Sequence, residues 1–364
     1  MSHLIVALLL GGTLTHRYKM CHVDFDTCLF RAAKSCQKDF IIVTHKETGW
    51  KQRFDGVSKF YGLKRSRDGG WIGEQNTIRD KQGKPLISVD DFTIEECAEL
   101  IDSEEVVLEQ AITMIDVTVG RIKKTSEAED YRLYIAGTGN WRYDAANILP
   151  YKGNRKPKPI FFLEVKEALV QKYKNKIVLV DNQEVDDTLG QIGWQNYLNF
   201  RKTGKWEYVL SYIDKDLKMI ISPHFNYDKC DEGIEINTPE EAAKWFCLQL
   251  LVGDKTTDNI QGLPNLSPEF QEKYQLRKCR GLGKETALKI LEGKNIKESF
   301  EVVVEAYKSY YGEDKKKLLT FRGEELEYNW LDYLKENGLL LWMRREPDEM
   351  YNIEDTLKRL GIEY

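Results

Sequence analysis

Three groups of carboxylates and one glycine turn carry most of the chemistry this sequence offers. Glu184, Asp186 and Asp187 follow the apolar run Ile177-Val178-Leu179-Val180. Asp214 and Asp216 follow a second run, Tyr208 to Ile213, and Asp254 and Asp258 follow an apolar segment that ends at Gly253. A fourth candidate, Asp24, closes a strand-like run that starts at Cys21. In open α/β sheets ligands gather at the carboxyl ends of strands, where these residues are predicted to fall. Carboxylate oxygens suit hard divalent cations such as magnesium. Two such ions roughly 4 Å apart supply a deprotonated water and neutralise a departing oxygen, which phosphodiester hydrolysis without a covalent intermediate requires. Histidine is scarce (five in the chain), and none stands in a zinc-like spacing.

Each group also has a plain structural reading. Asp24 or Asp26 can cap a following helix. Acidic residues are common in a helix first turn, where the dipole favours them, although Glu184, Asp186 and Asp187 exceed what capping needs. Asp214 and Asp216, two apart in an extended segment, are predicted to point the same way, with Lys215 opposite. Their repulsion calls for a cation between them. A turn over Lys255-Thr256-Thr257 brings Asp254 and Asp258 together.

Two cationic features accompany the acids. Tyr151-Lys152-Gly153-Asn154-Arg155 is a basic-aromatic stretch suited to steering a strand and offsetting transition-state charge through Lys152 and Arg155. Arg280-Gly281-Leu282-Gly283-Lys284 opens an amphipathic helix, and its missing side chains let backbone N–H groups approach a phosphate. No nucleotide-fold strand precedes it, so a turn between two helices gripping DNA backbone fits better than a dinucleotide site. Lys64, Arg65 and Arg67 beside Trp71 read as a solvated loop in preference to a nucleic-acid contact.

The elements that must position these groups form an α/β pattern. Strands are predicted at Cys21–Asp26, Phe40–Thr44 and Tyr131–Ala136, and helices at Thr27–Gln37, Thr93–Gly120 (with a capping box at Thr93) and Ile160–Tyr173. Thr48–Gln82 reads as hairpins and loops. The tail reads as helices around Phe300–Tyr311 and Glu324–Leu341, its aromatic residues packed on the body. The first strand-like run follows Met20, so residues 1–19 read as a leader outside the fold, with a signal peptide the weaker alternative. At 364 residues, 41% apolar and 31% charged, the chain suits one large or two ordinary globular domains. No apolar run is long enough for a membrane span. Seven cysteines without a Cys-x-x-Cys fit free thiols in a reducing, cytoplasmic compartment (host cytoplasm if viral). A net charge of −5 disfavours a nucleic-acid coat protein, not an enzyme that separates an acidic site from a basic track.

Taken together and in order, Val23-Asp24, Tyr151 to Arg155, Glu184-Val185-Asp186-Asp187, Asp214-Lys215-Asp216-Leu217, Gly253-Asp254 through Asp258-Asn259-Ile260-Gln261-Gly262-Leu263-Pro264, and Gly281-Leu282-Gly283-Lys284 resemble the 5′-3′ exonuclease and flap endonuclease family, bacteriophage members especially. The resemblance implies a PIN-like α/β nuclease domain at 20–250, with a mainly parallel central sheet and a helical arch. It implies a helix–three-turn–helix DNA-binding region at 251–300 and, beyond it, a helical extension at 301–364. It further implies a monomer that hydrolyses DNA near a 5′ end or 5′ flap in replication, using two Mg2+ ions (Mn2+ substituting), with K+ at the helix–three-turn–helix. Asp24, Glu184, Asp186 and Asp187 would serve the first metal; Asp214, Asp216, Asp254 and Asp258 would shape the second. Lys152 and Arg155 would contact the scissile phosphate, and Arg280 to Lys284 the duplex. Three departures stand out. The strand ending Ile135-Ala136-Gly137 lacks the family's aspartate, for which Asp144 is a substitute. Asp254 and Asp258 are one residue further apart than usual. Residues 265–279 form an insert, read as a surface loop rather than a DNA contact. The alternatives are a catalytically inactive DNA-binding relative and an RNase H-like activity on RNA–DNA hybrids.

Overall fold

The computed structural model describes residues 17–62, 69–276 and 282–364. In chain order the elements are β1 (Tyr18–Asp24), α1 (Asp26–Ser35), β2 (Gln37–His45), β3 (Lys51–Phe54), α2 (Val57–Tyr61), α3 (Gly70–Lys81), β4 (Phe92–Leu100), α4 (Glu104–Thr125), β5 (Ala128–Ala136), α5 (Arg142–Ala145), α6 (Phe162–Lys172), β6 (Ile177–Val180), α7 (Val185–Thr203), β7 (Tyr208–Ser211), β8 (Pro223–Phe225), β9 (Glu235–Ile236), α8 (Pro239–Val252), α9 (Pro268–Lys273), α10 (Lys284–Leu291), α11 (Ile296–Tyr311), β10 (Lys316–Leu319), β11 (Glu325–Tyr328), α12 (Trp330–Leu341) and α13 (Ile353–Arg359). The chain divides into two compact units. One comprises the described residues through Thr27 with Thr118–Pro157 and Tyr173–Tyr364; the other comprises Cys28–Val117 and Lys158–Lys172.

The first unit is built on a six-stranded sheet in the order β6-β5-β1-β7-β8-β9. All its pairings are parallel except β8 with β9. β1 alternates about a buried face, with Cys21 and Val23 fully enclosed. Chain order runs outward from β1 through β5 to β6, then returns to β7 on the other side of β1. That reversal places the ligand-binding crevice of such a sheet at the carboxyl ends of β1 and β7. The connection α7 starts from a reciprocal cap between Glu184 and Asp187 and stops at Gly204 in the left-handed region, φ 73°. α8 starts at a Thr238–Glu241 capping box with Pro239 in its first turn.

The core of this unit extends from Tyr134 to Ile362 and takes in α8, α10, α11, α12 and α13. The regions expected separately at 251–300 and 301–364 therefore share one core. Leu266 and Phe270, in the 265–279 segment, are buried in it, and Ser267 caps α9 between them. Residues 265–276 of that segment, the part described, pack on the core and are not a surface loop. The tail packs as expected through Tyr307, Trp330 and Leu334. It is not wholly helical, because the alternation at Glu325–Tyr328 pairs with Lys316–Leu319 as an antiparallel hairpin.

The second unit holds the antiparallel sheet β3-β2-β4. Here the predicted helix Thr93–Gly120 is corrected. Phe92–Leu100 is a strand paired residue by residue with Gln37–His45, and the helix starts only at Glu104, after the break at Asp102-Ser103. The capping-box spacing at Thr93 misled; Phe92, Ile94, Ala98 and Leu100 instead follow the two-residue period of a strand. Thr48–Gln82 contains α2 and α3 as well as a hairpin strand. Trp71 stacks against Trp50 at 4.8 Å and packs on the Phe60 core, so it serves packing. Lys64, Arg65 and Arg67 lie outside the described residues.

Two further expectations are revised, and one edge strand is notable. Tyr18 and Lys19 already belong to β1, ahead of Met20. β6, the strand of the apolar run Ile177–Val180, lies at a sheet edge with Leu179 half exposed. The stretch between β5 and α6 that carries Lys152 and Arg155, the residues the resemblance implies for a helical arch, contains only the single turn α5, because Gly137, Gly139, Pro150, Gly153, Pro157 and Pro159 prevent longer helix. No described helix is long and apolar enough to cross a membrane.

At the centre of the helical layer Tyr307 donates to the Leu250 carbonyl at 2.7 Å and accepts from Asn337 Nδ2 at 3.0 Å. Tyr307→Phe leaves both partners unsatisfied and should lower the unfolding free energy by about 1–3 kcal/mol in urea titrations. An unchanged midpoint would show that this bond does not hold the tail to α8.

Candidate active site

The acidic residues found by spacing meet at one end of the first unit. Glu184, Asp186, Asp214, Asp216, Asp254 and Asp258 line a single cavity of about 40 Å³ together with Arg142, Tyr151, Lys152, Arg155 and Gln249. Asp24 ends β1 beside them and raises the pKa of Asp186. The volume admits about one or two water-sized bodies.

Local structure explains each position. Asp24 Oδ1 accepts from the Asp26 amide at 3.1 Å at the start of α1. Asp186 and Asp187 occupy the first turn of α7. Asp214 and Asp216 are not in an extended segment. Asp214 caps a 3-10 turn, Lys215–Met219, and accepts from the Asp216 amide at 2.9 Å. Their proximity thus arises from a turn and not from strand alternation. Asp254 pairs with Ile260 across a tight loop and accepts from the Thr257 amide at 3.1 Å. Gly253 and Gly262 close that loop at φ 71° and 58°. A Cβ on Gly262 would lie 2.3 Å from the Gly253 nitrogen, so both positions need glycine.

The carboxylates fall into two classes. In the first, protein cations hold the charge. Asp187 is fully buried, and Arg142 donates to both its oxygens at 2.6 and 2.8 Å. Asp187 also accepts from Trp141 Nε1 and the Arg344 amide. Burial works against this charge, but Arg142 outweighs it and holds the carboxyl below its ordinary pKa. Arg142 also donates to the Leu340 and Trp342 carbonyls, tying α5, α7 and the end of α12 together. Glu184 accepts from Lys152 Nζ and from Asn140. Asp258 accepts from Arg155 at 3.0 Å. The Tyr151 hydroxyl stands 3.0 Å from both Glu184 and Asp258, so one proton serves two carboxylates and the nearby Lys152 offsets the remainder.

In the second class, Asp24, Asp186, Asp214 and Asp216 have no ion pair among the described residues. Burial, then Asp26, Asp214 and Glu184, push the Asp24 carboxyl up to about 8. Burial and the neighbouring Asp24, Asp214 and Glu184 push Asp186 well above the carboxylate range. Asp216 rises to about 7, through burial and then Asp214 and Asp254. Asp214 is also raised, chiefly by burial.

Measured against the expected roles, Asp187 is corrected: its oxygens serve Arg142 and the capping of α7, leaving Asp186 to face the cavity. Asp144 is exposed and does not replace the absent aspartate. Two other acids meet that strand end. Asp26 accepts from the Ala136 amide at 2.9 Å, and Asp181 accepts from the Thr138 amide at 2.7 Å. A Cβ at Gly137 would lie 2.2 Å from Asp181 Oδ1, so position 137 itself has no room for a side chain. In the glycine turn, Arg280 and Gly281 lie outside the described residues. Leu282 is buried in the core, so its side chain is closed to any partner at the surface. Gly283 caps α10 at φ −93° with no described residue crowding it, and Lys284 sits 4.6 Å over the Trp245 ring. Spacing alone missed Arg142, hidden in the aromatic run Trp141-Arg142-Tyr143, and Gln249, the lone polar residue between Phe246 and Val252.

The donor set suits a hard divalent cation: all-oxygen, crowded and incompletely neutralised, with Lys152 already acting as a cation among the acids. Among the described residues no three of these side chains form a ready ligand shell. The fit therefore rests on donor chemistry and shared placement. No protein-family model and no curated protein matches the sequence.

Two predictions follow from the two classes. Asp24 and Asp216 keep their protons in the folded protein to about pH 8 and 7, but release them near pH 4 when unfolded. With folded pKa values above unfolded ones, their stabilising contribution is full below pH 4 and lost as pH rises through 7 to 8. In EDTA the melting temperature should fall from pH 5 to 8.5. Asp24→Asn should raise it at pH 8.5, by about 2–4 °C for each kcal/mol of repulsion relieved. A melting temperature that climbs over this range would refute the crowding. Separately, Arg142→Leu should cost about 3–5 kcal/mol of stability by stranding buried Asp187. Asp186→Asn should cost nothing in the same EDTA denaturation assay; equal losses would erase the distinction.

Proposed function

We propose that this protein is a divalent-cation-dependent nuclease that hydrolyses DNA phosphodiester bonds near a 5′ end or 5′ flap, as its motifs' resemblance to 5′-3′ exonucleases and flap endonucleases implies. One observation carries the reading: Asp186, Asp214 and Asp216, without an ion pair among the described residues, face one cavity at the carboxyl end of a parallel sheet, with Asp24 beside them and Lys152 and Arg155 at the rim. Asp24, Asp186, Asp214 and Asp216 would hold the divalent ions, Mg2+ or Mn2+, with Asp254 beside them. Bound there, such ions activate water and neutralise the departing oxygen. Lys152 and Arg155 are held by Glu184 and Asp258 at the cavity mouth, where their charge draws a phosphate toward the acids. Arg142 and Asp187 fix the first turn of α7 and so the position of Asp186.

A second reading, a DNA-binding protein without catalysis, draws on the end of β5, where Ala136-Gly137 presents no carboxylate. Release of nucleotides from 5′-labelled duplex, flap and RNA–DNA hybrid substrates with Mg2+, compared with EDTA, separates the readings and ranks the substrates. Asp186→Asn should lower cleavage at least about 100-fold while leaving DNA affinity within a few-fold. Loss of affinity equal to loss of cleavage would count against the role given to Asp186, and wild-type protein inert on all three substrates would leave the non-catalytic reading standing.

A further inference from the structure

Gln249 is anomalous in α8. Its neighbours Phe246, Cys247, Leu248, Leu250 and Leu251 are apolar and buried, as the interior face of a core helix should be. Gln249 is equally enclosed, 6% exposed, yet its Oε1 has no hydrogen-bond partner among the described residues. Buried amide oxygens are nearly always satisfied, so an orphan among apolar neighbours calls for a partner. The side chain borders the acidic cavity. Around that cavity the neighbouring oxygens belong to Asp186, Asp214, Asp216 and Asp254, which once ionised to hold a cation only accept and cannot serve the amide oxygen. A cation satisfies a carboxamide oxygen and a carboxylate alike, and the carboxamide adds no further negative charge to a crowded site.

We propose that Gln249 is a neutral oxygen ligand for a divalent cation held in this cavity, acting with Asp214, Asp216 and Asp254. The inference rests on the cation-dependent reading above and adds to it a residue outside the sequence motifs. It also gives α8 a direct part in the site: the helix supplies Gln249 from its last turn and Asp254 just beyond Gly253, so one rigid element sets two oxygen donors.

The test is Mn2+ binding to the full chain, measured by calorimetric titration without DNA, alongside melting in EDTA. Gln249→Met keeps length and apolar bulk but removes the hard oxygen. It should weaken Mn2+ affinity about 10- to 100-fold. Its melting temperature in EDTA should equal or exceed the wild type, since removing an unsatisfied polar group from a core is neutral or stabilising. Gln249→Glu should keep Mn2+ affinity at or above wild type. Unchanged affinity in Gln249→Met would overturn the inference while leaving the nuclease reading intact. A lower melting temperature in EDTA would overturn it as well, by showing a structural role. Wild-type protein that takes up no Mn2+ would instead overturn the cation-dependent reading on which the inference stands.

Discussion

Repulsion among buried carboxylates is the constraint on which the rest of this structure depends. Six acids line one small cavity and Asp24 stands behind them. Removing such charges from water is costly unless each is met by a cation or a proton. The fold meets two of the lining acids, through Lys152 on Glu184 and Arg155 on Asp258, and Arg142 does the same for the adjacent Asp187. The remaining buried group holds protons into the neutral range. A fold selected for stability alone would have neutralised or removed them, because apolar replacements for unsatisfied buried polar groups are tolerated well.

The sheet explains why the repulsion concentrates in one place. Strand order reverses at β1, so Asp24 and the turn after β7 face each other across the crevice that every open parallel sheet has at such a reversal. α7 crosses from β6 to β7 and packs on β1, β5 and β7, which brings its first turn over the same end. The loop from Asp254 to Ile260 enters from α8 and is closed by the paired glycines Gly253 and Gly262. Four separate stretches of chain thus deliver acids to one point.

Much of this was legible in the sequence because the acids follow recognisable elements. The apolar runs at Ile177–Val180 and Tyr208–Ser211 are strands, and the acid groups follow them as spacing predicted. Asp254 and Asp258 stand on one tight loop and line the same cavity. What spacing could not show was which charge answers which. Arg142 lies 45 residues from Asp187, and nothing local marks the pair. The strand Phe92–Leu100 was misread because its Glu and Ala content suits a helix; its pairing with β2 along nine positions overrode that preference. The shared core of the two carboxyl-terminal regions was hidden for the same reason: burial of Leu266 and Phe270 depends on partners far along the chain.

Asp186 and Asp187 show most clearly why the site is more than a helix cap. They are adjacent, of one residue type, in one first turn, and exposed to the same dipole. Capping alone would treat them alike. Successive helical residues point about 100° apart, so one turns into Arg142 and the other into the cavity. Their carboxyls consequently shift in opposite directions, Asp187 down and Asp186 up. Asp187 anchors the turn, and the anchored turn forces Asp186 against Asp24, Asp214 and Glu184. A buried ion pair that is itself fully satisfied is therefore what holds a neighbouring charge where no protein cation satisfies it. That arrangement is expensive to maintain as architecture and useful as a binding site for a cation, which is why the functional reading rests on the contrast between these two residues more than on the number of acids nearby.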